Sequence, residues 1–157
     1  MLFLPKIAKQ NAVLNEHEII ETLHQGLDGQ FARQKVLVLI PDHTRSLPLP
    51  YLFQALVEIL HDTRQLDFMV ALGTHPSLLE DSLNKLVGIS SDERSTIFKH
   101  IGLLNHDWDN PLALITLGVL EQDEIWEIAG ERWHSSLPDQ ISRNLWASRM
   151  ASSYCPR

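Results

Sequence analysis

Runs of apolar residues without polar alternation occur twice in the first half of the chain, at 36–40 and 68–72. Such runs are typical of strands that are buried on both faces, as in a parallel sheet covered by helices. The segment between them repeats apolar residues at the three-and-four spacing of one buried helix face, namely Leu49, Leu52, Phe53, Leu56, Val57 and Leu60. Strand, helix and strand in this order predict a right-handed βαβ unit.

The rest of the chain shows weaker patterns of the same two kinds. Helical spacing predicts helices over Glu16–Leu27 and Glu121–Gly130. Short apolar runs predict a weak strand over Ile101–Leu104 and a better one over Ala113–Leu117. The predicted fold class is therefore α/β, a Rossmann-like domain with a mainly parallel sheet flanked by helices.

Two further helix starts are indicated by Ser-x-x-Glu sequences, at Ser77–Glu80 and Ser90–Glu93. This spacing is that of the capping box, in which the serine and glutamate side chains bond to each other's backbone N–H groups. His75 comes just before the first of them, so we expect it between a strand end and a capped helix.

The first apolar run stops at a cluster of polar residues. Asp42, Thr44 and Arg45 follow it, and Pro48 and Pro50 stand at the predicted first helical turn, where proline is tolerated. Ligands of parallel sheets collect at the carboxyl ends of the strands, and a helix N-terminus at that edge favours an anion.

His75 follows the second apolar run in a similar way. Neighbouring parallel strands end at the same edge of a sheet. We therefore expect Asp42, Thr44, Arg45 and His75 to line one cleft.

Composition narrows the classes of partner. The chain has 157 residues and a net charge of −7 without a block of Lys or Arg, which argues against nucleic acid and against anionic membranes. No apolar stretch approaches the length of a membrane span. Cys155 is the single cysteine, so no disulfide framework is predicted and a reducing, cytoplasmic location is expected.

The residue types at the strand ends suit particular chemistry, although each has a structural alternative. The guanidinium of Arg45 can hold a carboxylate or a phosphate through two parallel hydrogen bonds, or it can brace the turn by pairing with Asp42. Asp42 can accept hydrogen bonds from a ligand hydroxyl, or it can form the turn itself. An imidazole such as that of His75 titrates near neutrality, which suits a general acid–base.

Three motifs together resemble the N-terminal domain of the lactate racemase family. They are Asp42-His-Thr-Arg45 after the first strand, Ala71-Leu-Gly-Thr-His75 after the second, and Asn105-His-Asp-Trp108 further on. The resemblance implies a racemase or epimerase of a small 2-hydroxy acid, with a nickel-pincer nucleotide as cofactor.

The same resemblance implies a role for each candidate residue. His75 would be the catalytic acid–base and Arg45 would bind the substrate carboxylate. Asp42 and Thr44 would contact the cofactor. The roles of His43 and His106 stay open at this point.

The resemblance covers residues 1–137, and we predict a divergent, weakly structured tail over 138–157. The chain has no Gly-Gly pair, no G-x-G-x-x-G and no Walker motif, and its eight histidines show no convincing metal-ligand spacing. The family's nickel ligands would lie beyond this chain, which has the character of a truncated form. We therefore expect no bound cofactor, no metal site and no activity in the isolated chain.

Whether the chain is an enzyme is left open by these observations. It is interpreted first as the N-terminal half of a 2-hydroxyacid racemase. The alternatives are a non-catalytic truncated remnant that binds a nucleotide or a small anion, and one subunit of a split enzyme whose C-terminal half is a separate partner.

Overall fold

The computed structural model describes residues 6–73, 75–133 and 135–145. The chain divides into two compact units, each built from two separate stretches. The first comprises Met1–Ala71 and Leu78–Leu104, and the second comprises Leu72–Ser77 and Asn105–Arg157. This division differs from the predicted single domain over 1–137 followed by a tail.

The first unit holds a three-stranded sheet with helices between its strands, in the order α1 (Glu16–Leu27), β1 (Lys35–Ile40), α2 (Leu49–Ile59), β2 (Gln65–Val70), α3 (Glu80–Val87), α4 (Ser91–Ser95) and β3 (Gly102–Asn105). The strand order is β1-β2-β3. Strands β1 and β2 are parallel, with Ile40 opposite Val70. The α/β, Rossmann-like fold predicted from the apolar pattern is thereby confirmed.

Burial distinguishes the two strands that we predicted to be covered on both faces. The central strand β2 contains Phe68, Met69 and Val70, which are all at most 1% exposed. Strand β1 lies at the edge of the sheet, and its Leu39 is 50% exposed. Full burial is therefore wrong for β1, since a continuous apolar run does not tell an edge strand from a central one.

Aromatic side chains form the centre of the first unit. Phe53 of α2 and Phe68 of β2 are fully buried, with ring centroids 4.7 Å apart. Phe98, which follows α4, packs on Phe53 at 5.4 Å. Tilted ring pairs at these distances add to the burial energy, and here they join the α2 face to the sheet.

Of the two predicted capping boxes, one is confirmed. Ser90 and Glu93 form both reciprocal hydrogen bonds at the start of α4. The box at Ser77 is wrong, because α3 begins at Glu80 with Leu79 as an N-cap that makes no side-chain bond. Ser77 belongs to the second unit, so the helix starts only after the chain has returned to the first.

The second unit contains β4 (Leu114–Leu120), α5 (Gln122–Ala129) and β5 (Leu137–Ser142). Strands β4 and β5 form an antiparallel pair with an irregularity between Thr116 and Gly118. The predicted tail therefore needs correction, since 138–142 are part of a strand. Residues 137–140 are exposed, so the strand carries no apolar pattern by which the sequence would have shown it. The remainder of the predicted tail, from 146 onward, lies outside the described residues.

Large apolar side chains are exposed on this second unit. They include Leu112, Leu117, Val119, Leu120, Trp126, Ile128 and Trp133. Among the helices of the described segments, none has both the length and the apolar character to cross a membrane.

Candidate functional site

The loop that follows β1 is organised around the carboxylate of Asp42. Its Oδ1 accepts hydrogen bonds from the backbone N–H of Thr44 at 3.0 Å and from the Thr44 hydroxyl at 2.5 Å. The backbone N–H of Arg45 donates to the Asp42 carbonyl at 3.4 Å. Asp42 and Thr44 thus form a tight turn that sets the direction in which Arg45 leaves the sheet.

The guanidinium of Arg45 is exposed and, within the described part of the chain, has no ion-pair partner. It therefore does not brace the turn by pairing with Asp42, which was the structural alternative. An unpaired guanidinium retains its donors for a ligand carboxylate or phosphate.

A cleft of about 490 Å³ opens beside this loop. Its wall is formed by the loop, the first turn of α2 and one side of α3, through Pro41, Asp42, His43, Arg45, Leu47, Leu49, Pro50, Leu78, Ser82, Lys85 and Leu86. All of these residues belong to the first unit. Apolar walls with a few charged groups are what small-molecule sites in proteins present.

The end of α3 is fitted closely against the start of α2. Gly88 ends the helix in the left-handed conformation, with φ of +73°, and a Cβ at this position would lie 2.5 Å from Cβ of Pro50. Only glycine meets both conditions without strain. The end of α3 and the start of α2, which both contribute to the lining of the cleft, therefore approach each other closely at this point.

His75 lies in the second unit, in the segment Leu72–Ser77. The indole N–H of Trp108 donates to the His75 carbonyl at 3.1 Å, and Nδ1 of His106 lies 2.7 Å from the Leu72 carbonyl. A carbonyl only accepts, so the His106 Nδ1 carries the proton and the imidazole orientation is set. The Asn105–Trp108 motif therefore holds the loop that carries His75.

The predicted site residues are thus found in two places. Asp42, Thr44 and Arg45 lie together at the carboxyl edge of the parallel pair, where the backbone N–H of Ala71 also bonds to the Ile40 carbonyl at 2.9 Å. His75 belongs to the other unit, and its convergence with Arg45 stays a prediction.

Sequence reasoning missed Lys85 as part of the cleft, and it left His106 without a role. In the sequence, Lys85 is indistinguishable from any other polar residue on the solvent side of an amphipathic helix. Its place in the cleft depends on how α3 packs, which the sequence does not show. His106 had a weak signal, because it stands in a motif with Trp108 after a predicted strand. Among the described residues, no group of three or more His, Cys, Asp or Glu side chains is arranged to hold a metal ion.

Comparison with known proteins adds an independent result. The family model described as the lactate racemase N-terminal domain matches residues 6–133 of this chain. A crystal structure of a protein from Thermotoga maritima is similar, with a TM-score of 0.71 and 27% sequence identity. That similarity covers 84% of this chain and 31% of the solved chain, so this chain spans less than a third of its solved relative.

A comparison with curated proteins gave no match. The family match nevertheless includes the cleft, the loop of His75 and the Asn105–Trp108 motif. It covers well over half of the sequence. This chain therefore belongs to the family of lactate racemase N-terminal domains.

Proposed function

We propose that this chain is the N-terminal half of a racemase or epimerase that acts on a small 2-hydroxy acid. The observation that carries the proposal is the guanidinium of Arg45, which has no ion-pair partner among the described residues and lines a cleft at the carboxyl edge of the parallel pair, within the matched region. A 2-hydroxy acid offers a carboxylate for that guanidinium and a hydroxyl group for an acid–base.

In this proposal the two loops have separate tasks. Arg45 holds the substrate carboxylate through two charge-assisted hydrogen bonds. His75 removes the proton of the 2-hydroxyl group of one enantiomer, and supplies a proton when that enantiomer is formed again. Racemisation needs such groups on both faces of the carbon, so a second acid–base must come from outside the residues assigned here.

Hydride transfer at the substrate carbon is the chemistry that the family's nickel-pincer nucleotide would supply when bound. The Asp42 carboxylate lines the cleft and already accepts a hydrogen bond from the adjoining Thr44 hydroxyl, and such an acceptor fits the hydroxyl groups of a nucleotide. It does not fit the metal, since nickel binding needs a ligand cluster that the described residues do not form. We therefore propose that Asp42 and Thr44 contact the nucleotide and that the nickel is held by another part of the enzyme.

A second polypeptide segment is the partner that the proposal requires. The two-stranded sheet of β4 and β5 exposes Leu117, Val119 and Leu120, and sheets of two strands are marginal in water without cover. We propose that the segment equivalent to the rest of the longer Thermotoga maritima chain covers this surface, whether it is encoded with this chain or separately. The single cysteine, Cys155, supports a reducing, cytoplasmic location for the assembly.

A second candidate function is non-catalytic anion binding. The same cleft, with Arg45 unpaired, would hold a nucleotide phosphate or another small anion without any reaction. The two functions differ in one respect: anion binding needs Arg45 but does not need His75.

The test is complementation. The chain is mixed with the part of the Thermotoga maritima protein that lies beyond the matched region, loaded with cofactor, and interconversion of D- and L-lactate is followed by chiral chromatography. We expect no interconversion by this chain alone and measurable interconversion by the mixture. His75→Ala should lower the rate by about 10²–10⁴-fold, the usual contribution of a positioned acid–base, and Arg45→Ala should raise KM.

The matched controls are His17→Ala and Arg64→Ala, which remove an exposed side chain of the same kind outside the cleft. Both should leave the rate unchanged. Full activity in the His75→Ala and Arg45→Ala mixtures would show that the site is wrongly assigned. Loss of lactate binding in Arg45→Ala, without any interconversion under any condition, would favour the non-catalytic function.

A further inference from the structure

Lys85 places a second positive charge in the cleft that holds Arg45. It stands in the last turn of α3 and lines the cleft together with the loop after β1. Like Arg45, it is exposed and has no ion-pair partner among the described residues. Two cations therefore reach the same space from two different elements.

The charge of the cleft is opposite in sign to that of the whole chain. Its charged lining consists of Arg45, Lys85 and Asp42, which gives one positive charge in excess, whereas the chain carries a net charge of −7. Asp42 is already engaged by Thr44. A local excess of positive charge on an acidic protein favours an anionic ligand at this place.

The size of the cleft also exceeds what a three-carbon acid would occupy. A volume of about 490 Å³ is within the range of sites for larger ligands. Apolar side chains, among them Leu78 and Leu86, line the same cleft as Lys85. A ligand clamped by Arg45 at one end thus has room to extend along apolar surface toward a second charge.

We infer that Lys85 selects a 2-hydroxy acid with a second anionic group, a dicarboxylate rather than lactate. Arg45 binds the carboxylate beside the hydroxyl group, and the Lys85 ammonium binds the distal carboxylate. The close approach of Gly88 to Pro50 packs the end of α3, which carries Lys85, against the start of α2, which follows the loop of Arg45. This inference rests on the proposed role of Arg45 and adds the substrate class.

The test measures binding to the full chain by calorimetry, with three probes. Lactate has one carboxylate, malate has two, and the 4-methyl ester of malate keeps the malate skeleton with one charge fewer. We expect malate to bind about fivefold more tightly than either of the others, the upper end for an exposed ion pair. The preference should shrink as salt is added, since screening acts over about 10 Å at 0.1 M.

Lys85→Gln keeps a long helix-favouring side chain and removes the charge. It should abolish the preference for malate and leave lactate affinity unchanged. Lys99→Gln is the matched control, because it makes the same change of net charge outside this cleft and should keep the preference. An unchanged malate preference in Lys85→Gln, or its loss in Lys99→Gln as well, would overturn the inference.

Arg45→Gln separates this inference from the proposed function. If Arg45 clamps the shared carboxylate, the variant loses affinity for all three probes. Unchanged lactate binding in Arg45→Gln would contradict the proposed role of Arg45. If all three probes lose affinity in Arg45→Gln but the unmodified chain does not bind malate more tightly than lactate, only the role of Lys85 is contradicted.

Discussion

The indole N–H of Trp108 donates a hydrogen bond to the backbone carbonyl of His75 at 3.1 Å, although Trp108 is 37% exposed. Its exposure alone would suggest that Trp108 has no structural role beyond the surface. Here it holds the main chain of a candidate acid–base. Positioned groups need such support, since loss of orientation costs rate even when the reacting side chain is intact.

Trp108→Phe should loosen the His75 loop while keeping an aromatic ring in place. It removes one hydrogen bond, with a net contribution of about 1 kcal/mol. We expect changed amide NMR signals at Gly73 and His75. Trp133→Phe is the control, because the Trp133 indole donates to the Ser135 carbonyl at 2.8 Å and its loss should leave those signals unchanged. Identical spectra for Trp108→Phe and the unmodified chain would mean that the bond does not form in solution.

The candidate residues differ in how far the sequence could have identified them. Asp42, Thr44 and Arg45 adjoin a strand in the sequence, so their common position was predictable. Lys85 was not, because its place in the cleft depends on how α3 packs. The bonds of His106 and Trp108 join residues 34 and 33 positions apart, and no local pattern encodes such pairs.

At the scale of the elements, the Ser-x-x-Glu spacing marked a helix start only where all four residues belong to the same compact unit. The box of Ser90 and Glu93 formed, and the equivalent spacing at Ser77 did not. The strands show a similar division. Apolar runs predicted β1 and β2, whereas the exposed residues of β5 carried no signal that would have predicted pairing with β4.

The cap of α4 makes stability depend on pH in the acidic range. The backbone N–H of Ser90 donates to the Glu93 carboxylate at 2.8 Å and its hydroxyl donates at 2.7 Å, which together lower the pKa of Glu93 below 4.5. A group with a lowered folded-state pKa stabilises the fold above its unfolded pKa. That stabilisation is lost as the pH falls from about 4.5 through the folded value.

A carboxyl-detected NMR titration should therefore give Glu93 a pKa below 4.5, and Ser90→Ala should raise this pKa toward 4.5. Glu93→Gln should remove this part of the acid dependence of urea unfolding while the rest remains. A Glu93 pKa that is the same in Ser90→Ala as in the unmodified chain would contradict the contribution of the Ser90 hydroxyl, since the backbone N–H of residue 90 remains in the variant.

Gly88→Ala should destabilise the contact between α3 and α2. The left-handed backbone alone costs a residue with a Cβ roughly 1–2 kcal/mol, and the collision with Pro50 adds to this cost. Gly29→Ala is the matched comparison, since Gly29 has φ of +65° with no neighbouring atom within 4 Å of an added Cβ. Urea unfolding should show a larger loss of unfolding free energy for Gly88→Ala than for Gly29→Ala. Equal losses would mean that Pro50 moves away from the added methyl group at no cost in free energy.

At the scale of the whole molecule, the chain passes between the two compact units three times, after Ala71, after Ser77 and after Leu104. The six residues Leu72–Ser77 are inserted into the sequence of the first unit but belong to the second. A single cut therefore does not separate the units. Sequence reasoning placed a domain boundary at 137 because the resemblance to the family ends there, whereas the observed division follows contacts between distant segments.

This interleaving has a consequence for how the protein is made. On a ribosome that adds about 5–20 residues per second, the His75 loop emerges seconds before the residues that hold it, 33 and 34 positions later. The first unit can begin to form around Phe53 and Phe68 while that loop still lacks its partners. The loop of the candidate acid–base is consequently completed only after Trp108 has been synthesised, and a chaperone or protease that acts on the nascent chain meets the loop before His106 and Trp108 bond to it.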